Sequence, residues 1–521
     1  MKIIKTSTYN YPDIIANDFL YVDKTSTIWK LVKGVKDEFF LSRPRRFGKS
    51  LLISTLKAIF QGRRELFKGL AIDKVDYDWK PYPVIHLDFG NTGVDNVKEL
   101  EEQIASMLAN AADENNIQIR GTDIVIQFSN LIRDLAKREG REVVVLVDEY
   151  DKPILSNATN PKAASILKKL KRFYGVVKTS EGNIRFAFIT GVSKFAHVSL
   201  FSDLNNLTDI TLDANYAGLL GFSEAEIREY FADRIPLAAK ANGVSEKELM
   251  SRLLKWYDGY RFSDAETHVC NPVSVSAFFA KNYKFSNYWD DTGTPEFLVK
   301  LAREKSYDYE AALNDWYDES VFSAYELDRL DVTGLLWQTG YLTIKEVRNS
   351  DWGTLYRLDF PDLEVRRTFM RRLLDSCTKD RKGVTTPFIE KLQNAVMDDD
   401  LEGFLKLFQS FLAGIDYDLH LPYEKYYQTI FFCVFKLLGV AIEAESHTNE
   451  GRIDAYIRTE KKVYLFEFKL NKTSQKAIRQ IAAHHYYEKF QASCLPMVMV
   501  GVNFDSDKGN IKDWKSKTIH N

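Results

Sequence analysis

The sequence is poor in cysteine: four residues, Cys270, Cys377, Cys433 and Cys494, in 521. They lie far apart, form no C-x-x-C pair and have no histidine set nearby, so neither a disulfide framework nor structural zinc is expected. There is no run of eighteen apolar residues, and hence no candidate membrane-spanning helix. The opening stretch MKIIKTSTYNYPDII lacks the apolar core of a secretory signal, so a cytoplasmic protein is expected. An excess of one charge is lacking as well. Lys and Arg number 71 against 73 Asp and Glu, and a net charge of −2 gives no global attraction to nucleic acid or membrane. Internal repeats and low-complexity tracts are absent.

What is present is globular: 45% hydrophobic and 13% aromatic residues, with 28% charged. This length suggests about three domains. Short apolar runs at 38–41, 84–87, 143–147 and 185–190 alternate with helix-like segments at 50–60, 97–112, 123–138 and 161–178. Such alternation predicts a parallel sheet covered by helices. From about 223 to 375 the pattern becomes mostly helical and aromatic, in WYDGYRF (256–262) and LLWQTGYLTI (335–344), with room for a winged-helix element. The last part predicts a helix at 423–438, strands at 440–446, 452–458 and 462–469, a helix at 474–489 and a strand at 496–501. The expected domains are 1–220, 221–380 and 381–521. From Gly451 onward, 13 Lys and Arg face 7 Asp and Glu, a local net of +6 that suits a polyanion or a solvated surface.

Two constellations carry chemistry. RPRRFGKSLL (43–52) follows a strand and opens a helix, as a phosphate-binding loop does. Backbone N–H groups of Arg45, Arg46, Phe47 and Gly48 cradle phosphate, Lys49 reaches the β and γ oxygens, and Ser50 holds Mg²⁺. Arg43 stands where the general pattern has its first glycine. Arg43, Arg45 and Arg46 can offset that by charge, and nucleotide binding is a firmer expectation than hydrolysis. VVVLVDEYD (143–151) is an apolar strand ending in acids: Asp148 for Mg²⁺ and Glu149 to polarise water. The strand 84–87 falls between these motifs in sequence, as expected when an extra strand separates the loop strand from the acid strand. Thr190 and Ser193 end another strand, either as γ-phosphate sensors or as a plain terminus.

In the last part, Asp454 in RIDAYI precedes Glu467 and Lys469 in YLFEFKL. Strand alternation puts Glu467 and Lys469 on one face, with Phe466 and Phe468 on the other. Asp454 and Glu467 can then hold Mg²⁺ while Lys469 orients water or neutralises the transition state. Glu424, Glu443 and Glu445 are further acids nearby, each of which can equally face solvent. His484 and His485 are adjacent and point apart on a helix, so core or surface roles outweigh a metal pair.

On YVDKTSTI (21–28), RPRRFGKSL, VDEYDKPI (147–154), TGVSKF and LNNL (204–207), the chain resembles the bacterial AAA-ATPase-like family, in which the first glycine is usually missing. The D…E-x-K order within helix-strand-strand-strand-helix-strand, with Gln480 and Tyr486 on the following helix, resembles the PD-(D/E)XK nuclease superfamily. WYDGYRF, CNPVSV (270–275) and FPDLEVRRTF (360–369) extend the likeness through the middle, with Asp362 where Asn is common. The resemblance implies an α/β chain: an N-terminal P-loop NTPase, a mostly helical lid or connector, and a C-terminal restriction-endonuclease-like domain. It implies ATP and Mg²⁺ as cofactors and an ATPase coupled to a nucleic-acid phosphodiesterase, with DNA the expected polymer; a homo-oligomer is compatible with the sequence. The competing expectation is an ATP-dependent switch or signalling ATPase whose last domain only binds nucleic acid or a protein.

Overall fold

The computed structural model describes residues 1–34, 36–91, 93–157, 160–194, 207–289, 307, 309–322, 331–376, 385–415, 424–439, 443–445, 454–493 and 495–519. The chain divides into two compact units, residues 1–292 with 314–364, and residues 293–313 with 365–521.

The first unit is built on five parallel strands in the order β2-β3-β4-β1-β5: β1 (Asp37–Ser42), β2 (Val84–Asp88), β3 (Val143–Asp148), β4 (Ile184–Gly191) and β5 (Thr208–Asp209). β3 is buried at every position and β4 at all but Arg185, the near-continuous apolar pattern of strands covered on both faces. The helices around the sheet are α1 (Tyr11–Ala16), α2 (Thr25–Val32), α3 (Lys49–Phe60), α4 (Val97–Glu114), α5 (Ile124–Glu139), α6 (Lys152–Leu155) and α7 (Ala163–Thr179). Their starts are local chemistry: Asn96 accepts from the Glu99 N–H, and Asp123 accepts from the Val125 N–H. The strand lying between the loop strand β1 and the acid strand β3 is β4. β2, which falls between the motifs in sequence, sits at the sheet edge.

The aromatic middle is helical over Glu224–Tyr230, Ile235–Asn242, Glu246–Tyr257 and Pro272–Ala280, packed on one apolar core with Phe231, Leu253 and Phe278 at its centre. It also holds a small antiparallel sheet, β6 (Trp316–Tyr317), β7 (Thr343–Ser350) and β8 (Gly353–Asp359), in the order β6-β8-β7.

The second unit carries a mixed sheet in the order β13-β12-β11-β10-β9, with β9 (Glu443–Glu445), β10 (Ala455–Arg458), β11 (Val463–Leu470), β12 (Met497–Asp505) and β13 (Asn510–Ile519). β11 and β12 run parallel and the other pairs antiparallel. One face carries the helix Ser474–Ala483, packed on Val463, Leu465, Met497 and Met499. On the other face Phe466 and Phe468 meet Phe404, Phe431 and Phe435. Two expectations are corrected here. The helix expected to reach 489 ends at Ala483, because His485 takes a left-handed backbone (φ 51°). The sequence pattern also predicts no strand at β13. It is an edge strand whose lysines stay in water, so its composition does not read as a strand.

Candidate functional site

The phosphate loop lies between β1 and α3. Arg46 (φ 64°) and Gly48 (φ 93°) have left-handed backbones, which turn successive amides toward one side at the start of a twelve-residue helix. Arg45, Arg46, Phe47, Gly48, Lys49 and Ser50 line a cavity of about 720 Å³, together with Gly90 and Glu149. Its wall also includes residues 4–9, residues 219–222, and Pro272 and Val273. Lys49 is buried, and its ammonium donates to the carbonyls of Arg43 and Pro44, both at 3.0 Å. Burial lowers its pKa, against the pull of Glu149, Asp148 and Asp151.

Across the loop, Ser50 hydrogen-bonds to Asp148, whose carboxylate also accepts the Glu149 N–H at 2.9 Å. Glu149 has φ 49°, an uncommon value for a side chain of its type. Burial pushes the Asp148 carboxyl up to about 6, despite the lowering effect of Ser50 and Lys49. The protonated form therefore dominates below about pH 6, whereas a magnesium nucleotide held through Asp148 would need the carboxylate. Binding of such a nucleotide at pH 5.5 would then release a proton, and its affinity would rise with pH through that value. Calorimetry in two buffers of different ionisation enthalpy checks this; equal heats in both would contradict it.

Arg43, Thr190 and Ser193 bond within the fold. Arg43 is turned inward: its guanidinium donates to the carbonyls of Ser42 and Thr211, both at 2.8 Å, so its charge is not presented to the cavity. Arg45 and Arg46 alone of the three arginines line the cavity. Thr190 donates to the Leu41 carbonyl at 2.8 Å and Ser193 to Asp151 at 2.7 Å, the bonds of a strand terminus. Asp151, to which the motif assigns no role, is fully buried and also accepts the N–H groups of Val192 and Ser193. It ties the acid strand to the end of β4; the only signal for it was a third acid in VDEYD.

The second constellation lies on β10 and β11. Glu467 and Lys469 share the face that carries the helix Ser474–Ala483, and their side chains pair at 2.7 Å, both buried. The pairing of Ala455 with Phe466 brings Asp454, just before β10, opposite Glu467, and its carboxylate accepts the Phe468 N–H at 2.6 Å. Tyr486 hydrogen-bonds with Gln480. Burial raises the phenol, and the carboxylates of Glu467 and Asp454 add to the rise, which places it in their field. The side chains of Glu424, Glu443 and Glu445, and all of Arg452, Ile453 and the LNNL residues 204–206, lie outside what the structure describes. Among the described residues no three His, Cys, Asp or Glu side chains form an ion-binding group. Asp454 and Glu467 supply two hard oxygen ligands on neighbouring strands, the donor type a hard divalent cation selects.

A phosphate loop on a five-stranded parallel sheet, with an acid-tipped strand two places away, defines a P-loop nucleotide-binding domain. The second sheet forms a separate α/β domain on the same chain. The family model described as "Predicted AAA-ATPase" matches residues 5–201, and that of the PD-(D/E)XK nuclease superfamily matches residues 422–514. A relative from Azotobacter chroococcum mcd 1, described as "Uncharacterized protein in vnfD 5'region", is 35% identical over 504 residues, covering 95% of each chain. The chain belongs to this family of AAA-ATPase-like proteins with a C-terminal PD-(D/E)XK domain. The solved structure of the Aeropyrum pernix ORC2 protein (ADPNP-ADP complexes) matches at 12% identity with a TM-score of 0.26, covering 66% of this chain and 90% of that one. That score is too low for any conclusion. Among the described residues, no helix is long and apolar enough to cross a membrane.

Proposed function

We propose that the chain binds and hydrolyses ATP with Mg²⁺ at the phosphate loop, and that this controls a Mg²⁺-dependent phosphodiesterase acting on nucleic acid, with DNA as the substrate. Asp148 and Ser50 would hold the nucleotide's ion, and Glu149 would accept a proton from the attacking water. Asp454 and Glu467 would hold the ion of the second site, which supplies charge neutralisation at the scissile phosphate when bound. Lys469 would orient water or stabilise the developing charge. The protein is read as bacterial and cytoplasmic, with a homo-oligomer left open. The boundaries 1–220, 221–380 and 381–521 are proposed as its functional divisions.

The observation that carries this reading is the buried Glu467–Lys469 pair opposite Asp454, in one chain with a formed phosphate loop. A vestigial nuclease fold has no use for a buried ion pair, whose desolvation is costly. The lysines around it support a polyanionic substrate. The register sets Lys515 opposite Gly501 and Lys517 opposite Met499, on the same sheet face as Glu467. Both are exposed, as are Lys472 and Lys476 at the start of the neighbouring helix. The double variant Lys515→Glu, Lys517→Glu should lower nucleic-acid affinity and flatten its salt dependence by about two phosphate contacts' worth of slope. An unchanged slope, measured by fluorescence anisotropy between 50 and 200 mM salt (about the range over which such contacts weaken), would place the substrate elsewhere. The reading as a whole is tested by incubating the full chain with Mg²⁺ and ATP on single- and double-stranded DNA and RNA. Cleavage of DNA is expected; binding without cleavage of any polymer would favour the switch.

A further inference from the structure

The loop RPRRFGKS departs from the general phosphate-binding pattern at Arg43, which replaces the first glycine, and it carries Pro44 and Phe47 at positions the pattern leaves free. These three side chains share one environment, made from the two middle-region motifs that the proposed chemistry leaves unused. Phe47 is 1% exposed and sits edge-on to both Tyr260 (centroids 4.7 Å, 76°) and Phe262 (5.3 Å, 85°). The Arg43 guanidinium stacks over the Phe262 ring at 4.2 Å. Pro44 lies against Gly340, where an added Cβ would come within 2.6 Å of the proline ring. The two motifs are fastened to each other, since Tyr260 Oη donates to the Gly340 carbonyl at 3.1 Å. Arg261, between the two aromatics, exchanges hydrogen bonds with the Thr343 hydroxyl through its N–H at 2.8 Å and its carbonyl at 3.0 Å.

We infer that Tyr260, Phe262 and Gly340 form an aromatic dock that holds the phosphate loop in its binding shape, in place of the missing first glycine. The non-glycine residue that takes a left-handed backbone in this loop is Arg46 (φ 64°), a conformation that costs any residue but glycine; the turn around it is fixed from outside by three anchored side chains. The Arg43 and Pro44 carbonyls that hold the Lys49 ammonium belong to two of those anchored residues. The dock therefore sets the position of the lysine as well as the amides. Edge-to-face aromatic contacts and a buried cation–π contact together bias a short loop toward one of its shapes. Tyr260 and Phe262 are positioning residues in this account: they line no part of the cavity and act on phosphate through the loop. The inference rests on the nucleotide reading of the loop.

The test uses the full chain, with ATP, inorganic triphosphate and adenosine as probes in calorimetry. Phe262→Leu keeps an apolar side chain but removes the ring under Arg43 and beside Phe47. It should weaken ATP and triphosphate about tenfold or more, by loss of preorganisation, and leave adenosine unchanged. Phe262→Tyr should restore both. Tyr260→Phe, which deletes only the hydroxyl that grips Gly340, should shift triphosphate affinity in the same direction by less, with the melting temperature as the check on folding. Equal triphosphate binding by wild type and Phe262→Leu would overturn the dock, as would a parallel loss of adenosine, the mark of a general packing defect. Lys49→Ala separates the two levels. If it weakens ATP while Phe262→Leu does not, the dock alone fails; if it leaves ATP binding unchanged, the nucleotide reading fails and the dock with it.

Discussion

Glu467→Gln will leave nucleic-acid binding intact and lower cleavage on the order of 10³-fold or more, the scale on which preorganised charge at a reacting phosphate acts. The carboxylate has two tasks on the proposed account: it supplies one of two hard ligands, and it holds Lys469 at 2.7 Å in a buried position. Glutamine keeps the shape and an oxygen for the ammonium, but lacks the negative charge that selects a divalent ion. Alanine is a poorer test. Removing one member of a buried pair leaves an uncompensated charge and costs roughly 3–5 kcal/mol, so lost activity would be confounded with lost folding. Binding should survive because Lys515 and Lys517, on the same sheet face as Glu467, and Lys472 and Lys476, near the start of the neighbouring helix, are exposed. Lys469→Ala separates the roles once a melting curve shows that it folds, since metal affinity should persist while rate falls. Wild-type cleavage by Glu467→Gln would assign any observed activity to another site.

Glu149→Gln carries the second large effect. The amide keeps size and hydrogen bonding but cannot take a proton, so ATP binds while turnover falls about 10²-fold or more. The Glu149 backbone is left-handed at φ 49°, its N–H is tied to Asp148, and its side chain lines the cavity beside Lys49 and Ser50. Steady-state phosphate release read beside ATP affinity distinguishes the outcomes. Undiminished turnover in Glu149→Gln removes it as the base, and absence of turnover in the wild type makes the domain a binder.

What the sequence made legible was local. The glycine before Lys49, the apolar run ending in Asp148, and the alternation of Phe466 and Phe468 with Glu467 and Lys469 are patterns within a few residues. They follow from helix starts and strand periodicity. What it hid was tertiary. Nothing in RPRRFGKS says that Arg43 turns inward to carbonyls from Ser42 and Thr211, because its partner at Thr211 lies 168 residues away. The role of WYDGYRF could not be read either, since Tyr260 and Phe262 gain their meaning only against Phe47. β13 was hidden for a different reason: an edge strand bonded on one side keeps Lys512, Lys515 and Lys517 in water and so imitates a loop. The early stop at Ala483 depends on one left-handed histidine, a conformation no helix propensity signals.

The central claim is that one chain joins a nucleotide switch to a metal-dependent nuclease centre, and a single cleavage series tests it most directly. Wild type, Glu467→Gln and Lys49→Ala are compared on DNA with Mg²⁺, with and without ATP, and again with the metal chelated. The account predicts cleavage by wild type that needs metal and changes with ATP, none by Glu467→Gln, and cleavage by Lys49→Ala whose rate no longer responds to ATP. Cleavage by Glu467→Gln equal to wild type, or wild-type cleavage that persists without divalent metal, would contradict it.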